Sequence, residues 1–516
     1  VSEAARQGCG LGELLAELAG VRLEGDPGVR VTGLAHDSRR VGPGDLFVAL
    51  AGQRADGHQF LEAAAARGAV GAVVSRDVPR GGLAALARVP ETHEALARLA
   101  AGFWGHPARA LHLVGVTGTN GKTTLTYLAE HIVRAAGGSP GVIGTIEARF
   151  AGERQESQHT TPMATDLQAL LRRMRDRGVT HALMEVSSHA LELQRVRACD
   201  FQVAVFSNLS RDHLDFHGDL ARYAAAKALL FSRELNESRA DRRLAVVNRD
   251  DGRAAEMLAG WRGPVLGFSR RAVADVCVEG EVRQGLDGTH ARVRSPIGAL
   301  ELESPLTGLH NLENLLAAVA VGVALELPAD AIQAGLRACR RVPGRLERVS
   351  GEGGPAVFVD YAHTDDALRN VLGALRPLTR GRLWVVFGCG GDRDRGKRPL
   401  MGAAVARGAD LAVVTSDNPR TEEPEAIIAQ ILPGLEGEGA ARCELAALPG
   451  RTRAFAVLSD RRAAIHGAVG LAAPEDVVLV AGKGHENYQI VGAVKQDFDD
   501  LREAQLALQA RRGGRA

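Results

Sequence analysis

At 516 residues, 45% of them hydrophobic, the chain is too long for one core, and about three domains are expected. A formal net charge of +1 excludes a broad electrostatic pull toward nucleic acid or membrane. The cysteines, at 9, 199, 277, 339, 389 and 443, form no Cys-x-x-Cys pair, so neither a zinc knuckle nor a redox pair is expected, and free thiols in a reducing, cytoplasmic setting are. The opening residues Val1 to Arg6 carry no secretory apolar segment, and the longest apolar run, Leu315 to Leu325, has 11 residues against the roughly 20 that span a bilayer.

Residues 1–107 mix short strands and helices. Asp37-Ser38-Arg39 and Pro43-Gly44-Asp45 are turn sequences, Leu46 to Leu50 reads as a buried strand, and Trp104-Gly105-His106-Pro107 reads as a boundary. Over 108–342, strands are predicted near 111–116, 142–146, 181–186, 202–207 and 244–248, and helices near 122–136, 166–177, 219–233 and 311–325. That alternation predicts a mostly parallel sheet covered on both faces. Residues 275–303 alternate polar and apolar, as in His290 to Arg294, and predict a small antiparallel annex. A second break falls at Arg340 to Arg345. Beyond it, over 343–516, strands at 356–360, 383–387, 410–415 and 476–480 predict another α/β domain. Gly388-Cys389-Gly390-Gly391 lies there, but Arg393 breaks the dinucleotide pattern.

The most informative stretch is 115–124, which follows the apolar run Leu111 to Val114. A strand, a glycine turn and Lys-Thr opening a helix build a triphosphate cradle, with backbone amides and the helix N-terminus facing phosphate oxygens. Gly118, Thr119, Asn120, Gly121, Lys122, Thr123 and Thr124 are its candidate ligands. Lys122 would reach the β/γ-phosphates and Thr123 would hold Mg²⁺. The usual pattern has Gly at 116, where this chain has Val116; glycine recurs instead at 115, 118 and 121.

Strand 181–186 delivers Glu185, placed to anchor the same Mg²⁺ from a neighbouring strand, or else a solvated strand-end carboxylate. The polar run Asn208 to His217 suits a ligand rim, although His213 alone reads more readily as a satisfied loop histidine than as a metal ligand. Lys227 lies in a helical stretch on the face of Tyr223, Leu230 and Phe231, so it points toward an apolar interior. Burial there lowers an amine's pKa, and a neutral amine reacts with CO₂ to give an anionic carbamate. The alternative is a lysine that snorkels.

These segments, with Glu185-Val-Ser-Ser-His189, Gly308-Leu-His-Asn-Leu-Glu-Asn314, Val342-Pro-Gly-Arg-Leu-Glu347, Val359-Asp-Tyr-Ala-His363, Gly388 to Pro399, Asp417-Asn-Pro-Arg420 and Gly482-Lys-Gly-His-Glu486, stand in the order used by Mur ligases. From near residue 30 to the C-terminus the chain resembles that family, in its diaminopimelate-adding branch. The resemblance implies an α/β fold in three domains: a smaller N-terminal UDP-sugar-binding domain (1–107), a central P-loop ATPase-like domain with a mostly parallel sheet (108–342), and a C-terminal Rossmann-like amino-acid-binding domain (343–516). It implies that ATP phosphorylates the D-Glu side carboxylate of UDP-MurNAc-L-Ala-D-Glu and that the amine of meso-2,6-diaminopimelate attacks the acyl phosphate. A cytoplasmic monomer is expected, with no nucleic-acid partner and no membrane insertion.

Residue roles implied by the resemblance follow position by position. Lys122, Glu185, His213 and Lys227 are catalytic. Thr123, Glu185, His213 and Lys227, as its N6-carboxylated form, belong to the metal region. Ser38, Gln53, Arg54 and Ala55 match nucleotide-sugar contacts, and Thr160, Thr161, Ser187 and Arg195 match muramoyl-dipeptide contacts. Asn311 and Asn314 match the ATP base region, where helix capping by Asn311 is the alternative; Arg345 matches a nucleotide contact at a hinge about which the last two domains would close. Arg393, Asp417, Asn418, Pro419, Arg420, Gly482 and Glu486 match the diaminopimelate pocket. Arg420 would grip the distal carboxylate with two parallel bonds, so lysine would leave it unpaired and be rejected by about 10⁴-fold. Three positions depart from the family pattern: Asp365 in place of Pro, His159 in place of Asn, and Leu193 with Gln194 displaced by one. A lysine-adding ligase, folylpolyglutamate synthase and a nucleotide-switch protein are the rivals; Arg420, the Asp37-Ser38-Arg39 domain and the distal Arg393/Arg420/Glu486 set argue against them in turn.

Overall fold

The computed structural model describes residues 8–52, 55–349 and 354–513. The fold is α/β, and its contacts divide into two compact units: Val1–Cys277 with Ser295–Ile297 and Ala317–Gly335, and Val278–Arg294 with Gly298–Leu316 and Leu336–Ala516.

Besides the two-stranded pair Cys9–Gly10 with Arg30–Val31, the described residues of the first unit form two larger sheets. The smaller runs, in spatial order, Arg22–Gly25, Ala85–Arg88, Gly71–Val74, Asp45–Val48 and Gly33–Ala35, parallel except at the Arg22–Gly25 edge. The expected strand at 46–50 is thus Asp45–Val48. The larger sheet places Pro140–Ile143, His181–Glu185, His112–Thr117, Phe201–Phe206, Leu244–Asn248 and Val265–Ser269 side by side and parallel. An antiparallel flap, Glu147–Phe150 with Glu153–Glu156, extends one edge. Val114, Leu183, Val205 and Val246 are wholly buried. Strands covered on both faces read as continuous apolar runs, which is why they could be located to within about three residues, the strand expected near 142–146 being Pro140–Ile143. Helices Lys122–Ala135, Ala164–Asp176 and Leu220–Leu229 follow strands as expected, the last continuing through a wider π-helical turn, Leu230–Leu235.

In the second unit a seven-stranded sheet runs Glu347–Val349, Ala356–Asp360, Val477–Ala481, Leu383–Phe387, Leu411–Val414, Ala454–Val457 and Ala441–Arg442, parallel after its first pair. The expected annex is present as successive strands Gly288–Ser295 and Gly298–Ser304. Asp365 opens helix Asp365–Leu375, whose N-cap, Thr364, accepts from the Ala367 amide at 3.2 Å. An acidic residue in a first turn meets the positive end of the helix dipole, so Asp365 suits this position.

Within the first unit, helices pack closely enough to exclude side chains at Gly335, where an added Cβ would strike the Ile132 backbone. Gly335→Ala is expected to lower stability by about 1–3 kcal/mol through overpacking, read as a lower urea midpoint with unchanged m-value.

Candidate functional site

Parallel strands carry their loops at a common end, and there the site residues of each unit collect. After His112–Thr117 the chain turns through Gly118 (φ +145°) and Gly121 (φ +88°) into helix Lys122–Ala135. A Cβ on Gly118 would collide with Ser207 Oγ, so that position accepts only glycine. The loop is tied to the adjacent strand end: the Thr119 amide donates to Asn208 O at 2.8 Å, the Asn120 amide to Asn208 Oδ1 at 2.9 Å, and Ser207 Oγ to Asn120 O at 2.6 Å. Thr123 and Thr124 are buried in the first helical turn.

Two lysine amines converge on one carbonyl. Lys122 Nζ donates to Gly118 O and Thr119 O, both at 2.8 Å. Lys227 Nζ donates to the same Gly118 O at 2.8 Å and lies 4.5 Å from the Tyr223 ring centroid. Lys227 is 1% exposed, which excludes snorkelling. Desolvation, with the charge of Lys122 beside it, pushes its pKa well below that of an ordinary lysine. Its helix starts at the Asp219 N-cap, which accepts from the Arg222 amide at 2.8 Å, and Leu230 and Phe231 are buried on the same face.

Glu185 is buried at its strand end, where Oε1 accepts from the Thr145 amide at 3.0 Å and Oε2 from the Thr145 hydroxyl at 2.9 Å. Among the described residues no cation pairs with it. His213 pairs instead with Asp212 (3.4 Å) and stacks edge-on with His189 at 5.0 Å; burial lowers both histidines, His189 to about 4. Thr160, Thr161, Ser187 and Arg195 gather beside Glu185: Thr160 Oγ1 lies 3.1 Å from Thr145 Oγ1, Thr161 Oγ1 donates to Glu185 O at 2.8 Å and receives the Ser187 amide at 3.1 Å, and Arg195 Nη1 donates to Thr161 O at 3.1 Å. His159 is exposed. Gln194 stands in a left-handed turn (φ +53°) and donates to Glu91 at 2.8 Å, away from Thr161.

Ser38 opens the turn Ser38–Arg40, capped by Asp37, whose bonds to Arg39 hold its carboxyl down at about 2. Ala55 closes a turn by accepting from the Gly52 amide at 3.0 Å; Gln53 and Arg54 lie outside the described residues. Ser38 and Ala55 follow neighbouring parallel strands, Gly33–Ala35 and Asp45–Val48.

In the second unit, Arg393, Asp417 to Arg420, Gly482 and Glu486 follow three adjacent strands, Leu383–Phe387, Leu411–Val414 and Val477–Ala481. Asn418 Nδ2 donates to Glu486 Oε2 at 2.8 Å; Arg420 Nη1 donates to Gly391 O at 2.9 Å; Asp417 lies against Gly482, where a Cβ would collide with its carboxylate. Burial raises the Glu486 pKa, opposed by Lys483 and Asn418. Arg393 is exposed, with Nη1 on Asp392 O at 3.2 Å. Asn311 does not cap its helix. It lies inside Leu309–Ala324, donates to Thr307 O at 2.8 Å and accepts from Asn314 at 3.2 Å. The Arg345 guanidinium stacks 5.0 Å from the Tyr361 ring.

Sequence reasoning missed the cations beneath this pocket. Lys483, wholly buried, reaches Asn418 Oδ1 at 3.3 Å and Glu486 Oε2 at 3.4 Å. Arg461, paired with Asp500 at 2.6 Å, donates to Ser416 O at 3.3 Å and Ala481 O at 3.0 Å. Arg398 clamps Glu422 (2.8 Å) and Gly390 O (3.2 Å). Lys483 sits between two glycines just past an apolar strand, which is a readable signal; Arg461, on a helix far along the chain, has none.

Family models match as the Mur ligase catalytic domain over residues 30–104, the Mur ligase middle domain over 116–322 and the Mur ligase glutamate ligase domain over 344–484. The chain belongs to the Mur ligase family. Mur ligases similar to it include the UDP-N-acetylmuramoyl-L-alanyl-D-glutamate–2,6-diaminopimelate ligase of Gloeobacter violaceus, 47% identical over 507 residues, with 97% of this chain and 98% of that protein covered. The ligase of the same name from Geobacter metallireducens is 46% identical over 488 residues, covering 94% and 95%. A solved Mur ligase structure, also of a 2,6-diaminopimelate ligase, superposes with a TM-score of 0.70 at 34% identity over 98% of this chain and 99% of that one. The MurF ligase of Thermotoga maritima in complex with ADP shares the fold, with a TM-score of 0.60 at 19% identity. Among the described residues no helix is long and apolar enough to cross a membrane.

The buried amine makes a signed prediction. Because the folded-state pKa of Lys227 lies below its unfolded value of 10.5, the unfolded chain holds a proton that the folded chain lacks between the two, and stability rises with pH across that window. Lys227→Met is therefore expected to stabilise the fold at pH 7 by at least about 1 kcal/mol. The gain should shrink toward zero as pH rises past 10.5, measured by urea denaturation across pH in CO₂-free buffer.

Proposed function

We propose that the chain is the ATP-dependent ligase that joins meso-2,6-diaminopimelate to UDP-MurNAc-L-Ala-D-Glu in peptidoglycan precursor synthesis. The observation that carries this reading is near-full-length identity, 47% with 97% of this chain covered, to a protein named for that reaction. The chemistry of the two loop clusters supports it.

An amide does not form from a carboxylate and an ammonium at neutral pH without a leaving group. At the phosphate loop, amides of 118–123 and the Lys122 ammonium receive the ATP phosphates. A D-Glu carboxylate oxygen attacks the γ-phosphorus and ADP departs, leaving an acyl phosphate. The amine nitrogen of diaminopimelate then attacks the acyl carbon; the tetrahedral adduct collapses, phosphate leaves with the C–O electron pair, and the nitrogen gives up a proton. Thr160, Thr161, Ser187 and Arg195 orient the dipeptide, and Ser38, Gln53, Arg54 and Ala55 hold the nucleotide sugar. Asn311, Asn314 and Arg345 serve the adenosine end.

The donor set suits Mg²⁺, because Glu185 is a buried carboxylate met only by Thr145 donors among the described residues. Thr123, Glu185, His213 and a carbamate on Lys227 would hold the ion, which when bound neutralises crowded phosphate charge. The neutral amine favoured by burial is the form that takes up CO₂. In the second unit, Arg420 grips the distal carboxylate of the amino acid, Glu486 pairs with an ammonium, and Arg393, Asp417, Asn418, Pro419 and Gly482 complete the pocket. We assign domains to 1–107, 108–342 and 343–516, acting as a cytoplasmic monomer.

Phosphate release with UDP-MurNAc-L-Ala-D-Glu, ATP and Mg²⁺ is expected with diaminopimelate and not with lysine or without an amino acid; equal release with lysine would overturn the specificity. Arg420→Ala should raise KM for diaminopimelate about 100-fold or more while KM for ATP stays within twofold.

A further inference from the structure

Arg420 carries the specificity in the reading above, and its direction is set by more than the turn that the Glu422 amide closes onto Pro419 O. Its backbone is left-handed, φ +53°, a conformation that residues with a Cβ adopt only when neighbours enforce it. One neighbour that holds this backbone on both sides is distant in sequence. Strands Tyr488–Val491 and Val494–Asp497 form a two-stranded antiparallel hairpin that is bridged to this loop. The Arg420 amide donates to Ile490 O at 3.0 Å, and the Gly492 amide donates to Arg420 O at 2.7 Å, making a parallel bridge between Arg420 and Val491. The preceding residues are held by the same strand: Gln489 Nε2 donates to Asp417 O at 2.6 Å, and the Ile490 amide donates to Asn418 Oδ1 at 2.9 Å.

The hairpin therefore grips both ends of the Asp417 to Arg420 turn. It leaves Nη1 of Arg420 on Gly391 O, while Nε and Nη2 carry no partner among the described residues. That edge of a guanidinium is the one that meets a carboxylate with two parallel bonds. A bidentate grip tolerates little error in angle, so whatever fixes the backbone of Arg420 fixes the selectivity. Tyr488, at the base of the hairpin, lies between the Lys483 and Lys495 ammonium groups, 5.4 Å and 3.9 Å from its ring centroid, which anchors the hairpin beside the buried cation of the pocket.

We propose that the hairpin Tyr488 to Asp497 is a specificity element of the ligase, with Gln489 as a positioning residue: it presets the Asp417 to Arg420 turn so that the free guanidinium edge meets the far carboxylate of the incoming diamino acid. This rests on the reading of that turn as the diaminopimelate pocket. The test compares wild type, Gln489→Ala and Gly492→Val, a residue at φ +59° with open space around it, so that a side chain fits but the turn is strained. KM and kcat are measured by phosphate release for diaminopimelate and lysine, together with KM for ATP and for UDP-MurNAc-L-Ala-D-Glu and a thermal melt of each variant. The expected result is a rise of about tenfold in KM for diaminopimelate, a matching fall in discrimination against lysine, and kcat and the other KM values within twofold of wild type. An unchanged KM for diaminopimelate in Gln489→Ala overturns the proposal, as does an equal rise in every KM. If Gly492→Val melts early, Gln489→Ala, which loses one half-buried hydrogen-bonding side chain, decides alone. Failure of wild type to use diaminopimelate is a separate result and counts against the functional reading.

Discussion

The first unit is organised around one peptide oxygen. Gly118 O accepts from Lys122 and from Lys227, so two amines that would repel each other if both were charged are held within hydrogen-bond reach of the same atom. Lys122 is half-buried in that loop. Lys227 does not readily carry a charge, because it is buried with Tyr223, Leu230 and Phe231. An anion arriving in the loop would relieve the repulsion and would find backbone amides already oriented by Asn208 and Ser207. The arrangement is costly without a ligand, which is the expected condition of a site built to bind concentrated negative charge.

The second unit meets the same requirement with buried cations on the protein's own carbonyls. Loops at the ends of three parallel strands would splay under their own entropy, and Lys483, Arg461 and Arg398 each span two of them. Arg398 and Arg461 have carboxylate partners, Glu422 and Asp500, so their burial is compensated. Bonds from Arg398, opposing a small desolvation effect, hold the Glu422 carboxyl down to about 2. Arginine suits this task because its planar fork serves a carboxylate and a carbonyl at once. Lys483, with a carboxamide and a carboxylate as partners, ties the two loops that contribute Asn418 and Glu486.

Strand positions were legible because parallel strands buried on both faces are nearly pure apolar runs, as in Val385, Val386 and Phe387 or Val478, Leu479 and Val480. Lys227 was legible as inward-facing because helical spacing fixes which side chains share a face. Its orientation was readable, whereas its partner was not: nothing in the sequence links position 227 to the carbonyl of 118. The same limit hid Thr145, which positions Glu185 from a loop 40 residues earlier, and Arg461, which supports two loops from a helix start. Gln194 shows a local version. Its displacement by one residue was visible, but the left-handed turn that aims it at Glu91 was not.

The glycine spacing of the phosphate loop is the clearest case of one pattern with two causes. Glycines at 115, 118 and 121 look like a single phosphate-binding repeat. Gly118 and Gly121 are indeed turn residues, each with positive φ. Gly115 is not. It lies inside strand His112–Thr117, paired with Met184 and Ala204, and a Cβ there would come within 2.7 Å of the Phe201 ring and 3.3 Å of Leu230. Its smallness lets Phe201 and Leu230 pack down onto the strand, and Leu230 begins the wider turn that follows Lys227. A side chain at 115 would push that turn outward and carry the buried amine away from Gly118 O. The first glycine therefore acts on the site through the packing of the helix that bears Lys227. Val116, which replaces the usual glycine, can be large because its place is in the sheet, between Glu185 and Val205, and not in the loop.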